Sequence, residues 1–223
     1  MTTARPILFS GPMVCALLEG RKTQTRRLAK FVARDGCNLN FSGITADQLT
    51  PSTWALVSRG AGGCWNERTH PWKCPYGIPG DLLWVREAAH YGPDRVAYSA
   101  SNPPLSKGEN VDGWGPRRPG IHMPRWASRL TLEITSVRVE RLQDITEKDA
   151  HAEGCAKLVM DDDGKFYESE EGTYRTGYAG LWDHINGSGS WDANPWIVAL
   201  TFTVHRANVD SVIAQRQALE PAK

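Results

Sequence analysis

The sequence predicts an α+β fold: a small antiparallel sheet or barrel with helices at its ends and long loops inserted between its strands. Three observations carry this. Residues from Arg129 to Glu140 alternate apolar and polar over about twelve positions, the period of a half-buried strand. Trp196 to Val204 is a second strand-like run, continuously apolar enough to close a sheet. Met13, Val14, Ala16, Leu17 and Leu18 form the buried side of a short helix that ends at Gly20.

Taken in order, Ile7-Leu8-Phe9 is a short apolar run, and Ser10 can cap the helix, with Pro12 in its first turn. An extended segment containing Thr23 and Thr25 follows Gly20. Residues 31–78 are rich in Gly, Pro, Ser, Asn and Cys without a sustained period, so a long excursion with little regular structure is expected. Pro79-Gly80-Asp81 marks a turn before a strand at Leu82-Leu83-Trp84-Val85-Arg86-Glu87, and 91–119 again reads as loop. After the long alternating strand, Thr146 or Asp144 can cap a short helix that Gly154 closes. Asp161-Asp162-Asp163-Gly164 reads as a solvated acidic turn rather than a calcium loop, and helix resumes from Gly177 through Ile185. The tail after the closing strand is polar and can form a frayed helix.

Composition narrows the function classes. A formal net charge of +1 excludes a strongly basic surface, so any nucleic-acid contact must come from a local patch. Five irregularly spaced cysteines, with no apolar leader, suit a reduced cytoplasmic protein, and no apolar run is long enough to span a membrane. The nine tryptophans either build core or offer stacking platforms for bases, core being the ordinary use.

The stretch Glu19-Gly20-Arg21-Lys22-Thr23-Gln24-Thr25-Arg26-Arg27 sets four cations and two hydroxyls at a forced turn. It is either a binding site for something anionic or polar, or an ordinary solvated turn. With Pro79 to Val85, Leu132 to Val137, Ile145 to Ala150 and the closing Trp196 to Val204 strand, the Gly-Arg-Lys-Thr-x-Thr segment resembles the ASCH domain, a family with a PUA-like β-barrel. Cys74-Pro75-Tyr76-Gly77, Arg118 to Arg129 and Ser190 to Trp196 are similar to the longer ASCH proteins of bacteriophages and prophages. The resemblance covers nearly the whole chain outside the tail. It implies one domain over 1–206, with insertions at about 31–78, 91–119 and 157–190, then a polar tail at 207–223.

The family is widely regarded as RNA-binding, and a small bacterial branch hydrolyses N(4)-acetylcytidine to cytidine and acetate. The lysine, threonine and glutamate of that branch fall on Lys22, Thr25 and Glu153. Amide hydrolysis needs a nucleophile, a base and charge stabilisation, for which Thr25, Lys22 and Glu153 are the matching residue types. Thr25 and Lys22 stand three positions apart, so Lys22 has to lie in the turn rather than in the strand. No cofactor and no metal is expected, and the partner is a nucleoside or single-stranded nucleic acid.

The remaining candidates are contact residues. Arg21, Arg26 and Arg27 are candidate grips on phosphate, with Thr23 a candidate contact beside them, and Arg118 and Arg125, with Arg117 and Arg129, form a second basic strip beside Trp114 and Trp126. Trp84, Glu87 and His122 join them as candidate contacts. Cys64, His70 and Cys74 have some look of a metal site but lack tight ligand spacing and a fourth ligand. A non-catalytic RNA- or DNA-binding module and a phage assembly protein are the rival readings.

Overall fold

The computed structural model describes residues 3–31, 43–58, 71–92, 95–100, 115–161 and 163–219. Its elements are β1 (Ala4–Leu8), α1 (Gly11–Leu18), β2 (Gln24–Leu28), β3 (Ile44–Thr50), β4 (Thr53–Ser58), β5 (Trp72–Lys73), β6 (Leu82–Arg86), β7 (Ala89–Tyr91), β8 (Val96–Tyr98), β9 (Thr131–Arg141), α2 (Glu147–Ala152), β10 (Leu158–Met160), β11 (Phe166–Glu168), α3 (Tyr174–Asn186), β12 (Trp196–His205) and α4 (Val209–Leu219). The mixed α+β class is as expected. The main sheet has the order β1-β6-β9-β12-β2 and is open, with no closed barrel among the described residues. Among these residues no helix is long and apolar enough to cross a membrane.

The chain divides into two compact units built from interleaved segments. The first holds Met1–Thr23, Gly80–Thr135 and Phe202–Lys223, and the second holds Gln24–Pro79 and Ser136–Thr201.

In the first unit β1 runs parallel to β6, with Ala4 opposite Leu82, and β6 pairs antiparallel with the start of β9. Asp81 fixes the entry of β1 by accepting from the Thr3 amide at 3.1 Å and from the Arg5 guanidinium at 2.9 Å. Helix α1 buries Val14, Ala16 and Leu17 and carries Pro12 at its start, where a missing N–H costs no helical bond. The polar tail, expected to form a frayed helix, forms the helix α4. Val209 and Val212 pack on Leu82 and Trp84, and Arg216 reaches Glu133 at 2.6 Å and the Gly80 carbonyl at 3.0 Å.

In the second unit β2 pairs antiparallel with the first half of β12, from Ile197 opposite Leu28 to Thr201 opposite Gln24. Helices α2 and α3 cover one face of this ladder: Leu142, Ile145, Ala150, Tyr178 and Trp182 close on Ile197 and Ala199. Trp196, one residue out of phase, packs with Ala29, Ile44 and Leu56 in a second core. The excursion at 31–78 therefore holds more structure than expected: β3, β4 and β5 form a three-stranded sheet, with a register shift between Gln48 and Thr50 that breaks the period. The insertion at 157–190 holds the β10–β11 hairpin and all of α3, and 91–119 contributes β8 to a small hairpin with β7. The parts of these insertions at 32–42, 59–70, 93–94, 101–114 and 162 lie outside the described residues.

Candidate functional site

The Gly-Arg-Lys-Thr-x-Thr segment is built from the end of α1. Gly20 has φ of 78°, a value a Cβ would strain, and its amide donates to the Leu17 carbonyl at 3.2 Å. The Lys22 amide then donates to the Ala16 carbonyl at 3.1 Å, so Lys22 is docked against the helix end in the turn and ahead of β2, as its proposed role requires. Its side chain is only 1% exposed, and its ammonium lies 5.7 Å from the centre of the Phe9 ring. Arg21 beside it is exposed and donates to Glu19 at 2.7 Å, and Thr23 is exposed, its carbonyl accepting from the Phe202 amide.

Thr25, Arg26 and Arg27 lie on β2 in the second unit. Opposite residues of an antiparallel ladder share a face and adjacent residues alternate. Arg26 stands opposite Ala199 and so faces the α2–α3 core, whereas Thr25, opposite Leu200, and Arg27, opposite Val198, face the other way. Thr25 is buried and Arg27 half-buried.

Arg26 does not grip phosphate from the surface. Its side chain is 0% exposed and its two terminal nitrogens reach three carboxylates, Glu140 at 2.9 Å, Asp149 at 3.1 Å and Glu153 at 3.2 Å. The nitrogen that reaches Glu153 also donates to Gln24 at 3.2 Å, and the Tyr178 ring lies 6.0 Å away. Its Nε has no hydrogen-bond partner among the described residues. Arg138 completes the cluster, donating to Glu140 at 3.1 Å and Asp149 at 3.2 Å, and Gln24 donates to Asp149 at 2.9 Å.

The electrostatics follow from this packing. Burial works to lower the Arg26 pKa, but Glu153 and Glu140 outweigh it and raise the value. For Asp149 burial works the opposite way, upward, and the Gln24 hydrogen bond with the charges of Arg26 and Arg138 overcomes it and lowers the value. Tyr178 is held well above the ordinary phenol value, first by burial and then by Glu153. Glu153 itself is 3% exposed and caps α2, which Thr146 opens by accepting from the Asp149 amide.

The other predicted contacts belong to the first unit. Glu87 is 1% exposed and accepts both prongs of Arg129 at 2.8 Å, and Arg129 lies 4.0 Å from the Tyr98 ring. Trp84 is core, so neither it nor Glu87 is a surface contact. Arg125 is engaged by Asp210 at 2.7 Å. Arg118 differs: it is exposed, its guanidinium sits 5.7 Å from the Tyr91 ring, and Tyr91 meets Trp126 edge-on at 6.2 Å. Trp126 is 64% exposed and Ile121 is 55% exposed, with His122 also at the surface. Trp114 lies outside the described residues, as do Cys64 and His70, while Cys74 is a buried thiol.

Sequence reasoning missed Gln24, Arg138, Glu140, Asp149 and Tyr178. The available signal was Arg138 and Glu140 two positions apart on one face of the alternating strand, a place where two charges have to find partners. The second unit also has a cleft of about 670 Å³ lined by Ile44, Val139, Glu140, Arg141, Asp144 and Trp196 among others. Arg141 lies 4.3 Å from the Trp196 ring there, and burial lowers its pKa against the pull of Asp144. No family model matches the chain, and neither a curated protein nor a solved structure matches it.

Proposed function

We propose that the chain is a PUA-like, ASCH-type protein that recognises a nucleobase and hydrolyses the amide of an N(4)-acylated cytidine. The observation that carries this reading is the burial of Lys22. A lysine that is 1% exposed is rare, because lysines stay at the surface unless they are paired or serve a site. Two further residues selected by the resemblance, Thr25 at 4% and Glu153 at 3%, are among the buried polar groups as well.

The reaction balances with water as the only co-reactant. The Thr25 hydroxyl attacks the acyl carbonyl as Lys22 takes its proton, and the C–N bond breaks as the amine nitrogen regains a proton. Water then cleaves the threonyl ester to release acetate. The resemblance gives Glu153 the task of orienting the proton carrier, although Glu153 is held on the Arg26 face of β2 and Thr25 points to the other. Chromatography of an N(4)-acetylcytidine reaction is expected to show cytidine released by the wild type, with Lys22→Ala or Thr25→Ala slower by about 10²–10⁴-fold. A wild type that releases no cytidine overturns the reading.

A second reading, single-stranded nucleic-acid binding without catalysis, is favoured by the exposed Trp126 beside Tyr91 and Arg118. A flat indole in solvent with a guanidinium nearby stacks a base while the cation holds its phosphate. Trp126→Ala should then weaken oligonucleotide binding by about 1–3 kcal/mol. Equal affinities for the variant and the wild type discard this surface.

A further inference from the structure

We propose that Arg26 is a positioning residue for Glu153, holding its carboxylate in one place through a buried guanidinium anchored from two other elements. The inference rests on the hydrolase reading above and adds a residue to which that reading gave a different role.

The geometry is a fork with unequal prongs. The nitrogen reaching Glu153 at 3.2 Å shares itself with Gln24, whereas the other nitrogen is held by Glu140 of β9 at 2.9 Å and Asp149 of α2 at 3.1 Å. Arg138 ties those two carboxylates together from the rim, so the anchoring end of the fork is itself fixed. The planar guanidinium transmits that fixation, because its donors stand in a rigid array. Glu153 lies just past the end of a six-residue helix, where its backbone alone would leave the side chain several rotamers. The Arg26 prong selects among them. Tyr178 closes the cluster from α3 and keeps water from competing for the carboxylate.

Lysine keeps the charge but has no fork, so Arg26→Lys separates charge from geometry. The full-length chain is used throughout. A double-mutant cycle on thermal unfolding compares Arg26→Lys, Glu153→Gln and the pair, and is independent of turnover. The expected result is strong non-additivity, with the pair no less stable than Arg26→Lys alone; additive losses overturn the coupling. Steady-state kinetics on N(4)-acetylcytidine supply the second readout: Arg26→Lys lowers kcat at least about tenfold while KM stays within about threefold. A folded Arg26→Lys protein with wild-type kcat overturns the positioning role.

Should Arg26→Lys fail to fold, Glu140→Gln tests the same point from the partly exposed end of the fork. It keeps the shape, removes the anchoring charge and is expected to lower kcat about two- to fivefold at unchanged KM; an unchanged kcat again counts against the role. A wild type with no turnover defeats the hydrolase reading instead, and the thermal cycle then judges the Arg26–Glu153 coupling by itself.

Discussion

At the scale of single residues, the second unit depends on a guanidinium that has left water entirely, and that choice makes its stability sensitive to acid. A buried cation is tolerated only while its anions remain ionised. Asp149 is the carboxylate of this cluster whose pKa is lowered in the fold. Its folded value lies below the unfolded one of about 3.9, so the native state binds fewer protons than the unfolded chain in the interval between them. Its stabilisation is therefore complete above about pH 4 and is lost as pH falls through the folded value. Thermal melts between about pH 3 and pH 6 should show a steep acid decline in the wild type and a shallower one in Asp149→Asn, at lower overall stability. An acid limb equally steep in both proteins would remove Asp149 from the account.

The same scale shows why the sequence disclosed part of the candidate site and concealed the rest. The turn at Gly20 was readable, because a positive φ, a helix end and a docked Lys22 amide all leave local marks. The partners of Arg26 were not: Glu140, Asp149 and Glu153 come from 114, 123 and 127 positions away, and nothing local distinguishes an arginine that will be buried from one that will face solvent. Both kinds sit in polar, strand-compatible surroundings. Only the pairing of Arg26 with Ala199 decides that it points into a core.

Among elements, α4 is more fully formed than the frayed helix expected of a polar tail. Its apolar residues are few, and the buried ones, Val209 and Val212, are only three positions apart. Contact with Leu82 and Trp84 makes it a helix worth forming, because a short isolated helix is marginal in water. Val212→Ala should cost about 1–2 kcal/mol, read as a lower denaturant midpoint at constant slope. An unchanged midpoint would mean that the helix contributes no packing. Helix α3 teaches the converse lesson. Its glycines suggest a late start at Gly177, yet the helix begins at Tyr174 behind the Thr173 cap. Those glycines are sites of close approach, since a Cβ on Gly177 would fall 2.1 Å from the Ala156 carbonyl and one on Gly180 would fall 3.1 Å from the Phe166 ring. Their low helix propensity is the local expense of tight docking.

For the molecule as a whole, charge says more about partners than fold does. With a net charge of +1, bulk attraction to a polyanion is weak, so binding through the Trp126 surface would rely on stacking and on few phosphate contacts. The logarithm of affinity should fall with the logarithm of salt at a slope no steeper than about −3, and a much steeper slope would point to a larger basic surface elsewhere. The α+β class was legible because β9 and β12 carry strong local periods, and both strands run through both units.

That interleaving bears on how the chain acquires its shape while it is being made. Thr3 waits for Asp81, 78 positions later, and the first unit still needs Phe202 onward, while the second needs the stretch from Ser136 to Thr201. On a ribosome adding about 5–20 residues each second, β1 and α1 emerge many seconds before either unit can close. Neither half can be sheltered by finishing first. The early apolar segments therefore stay exposed through most of synthesis.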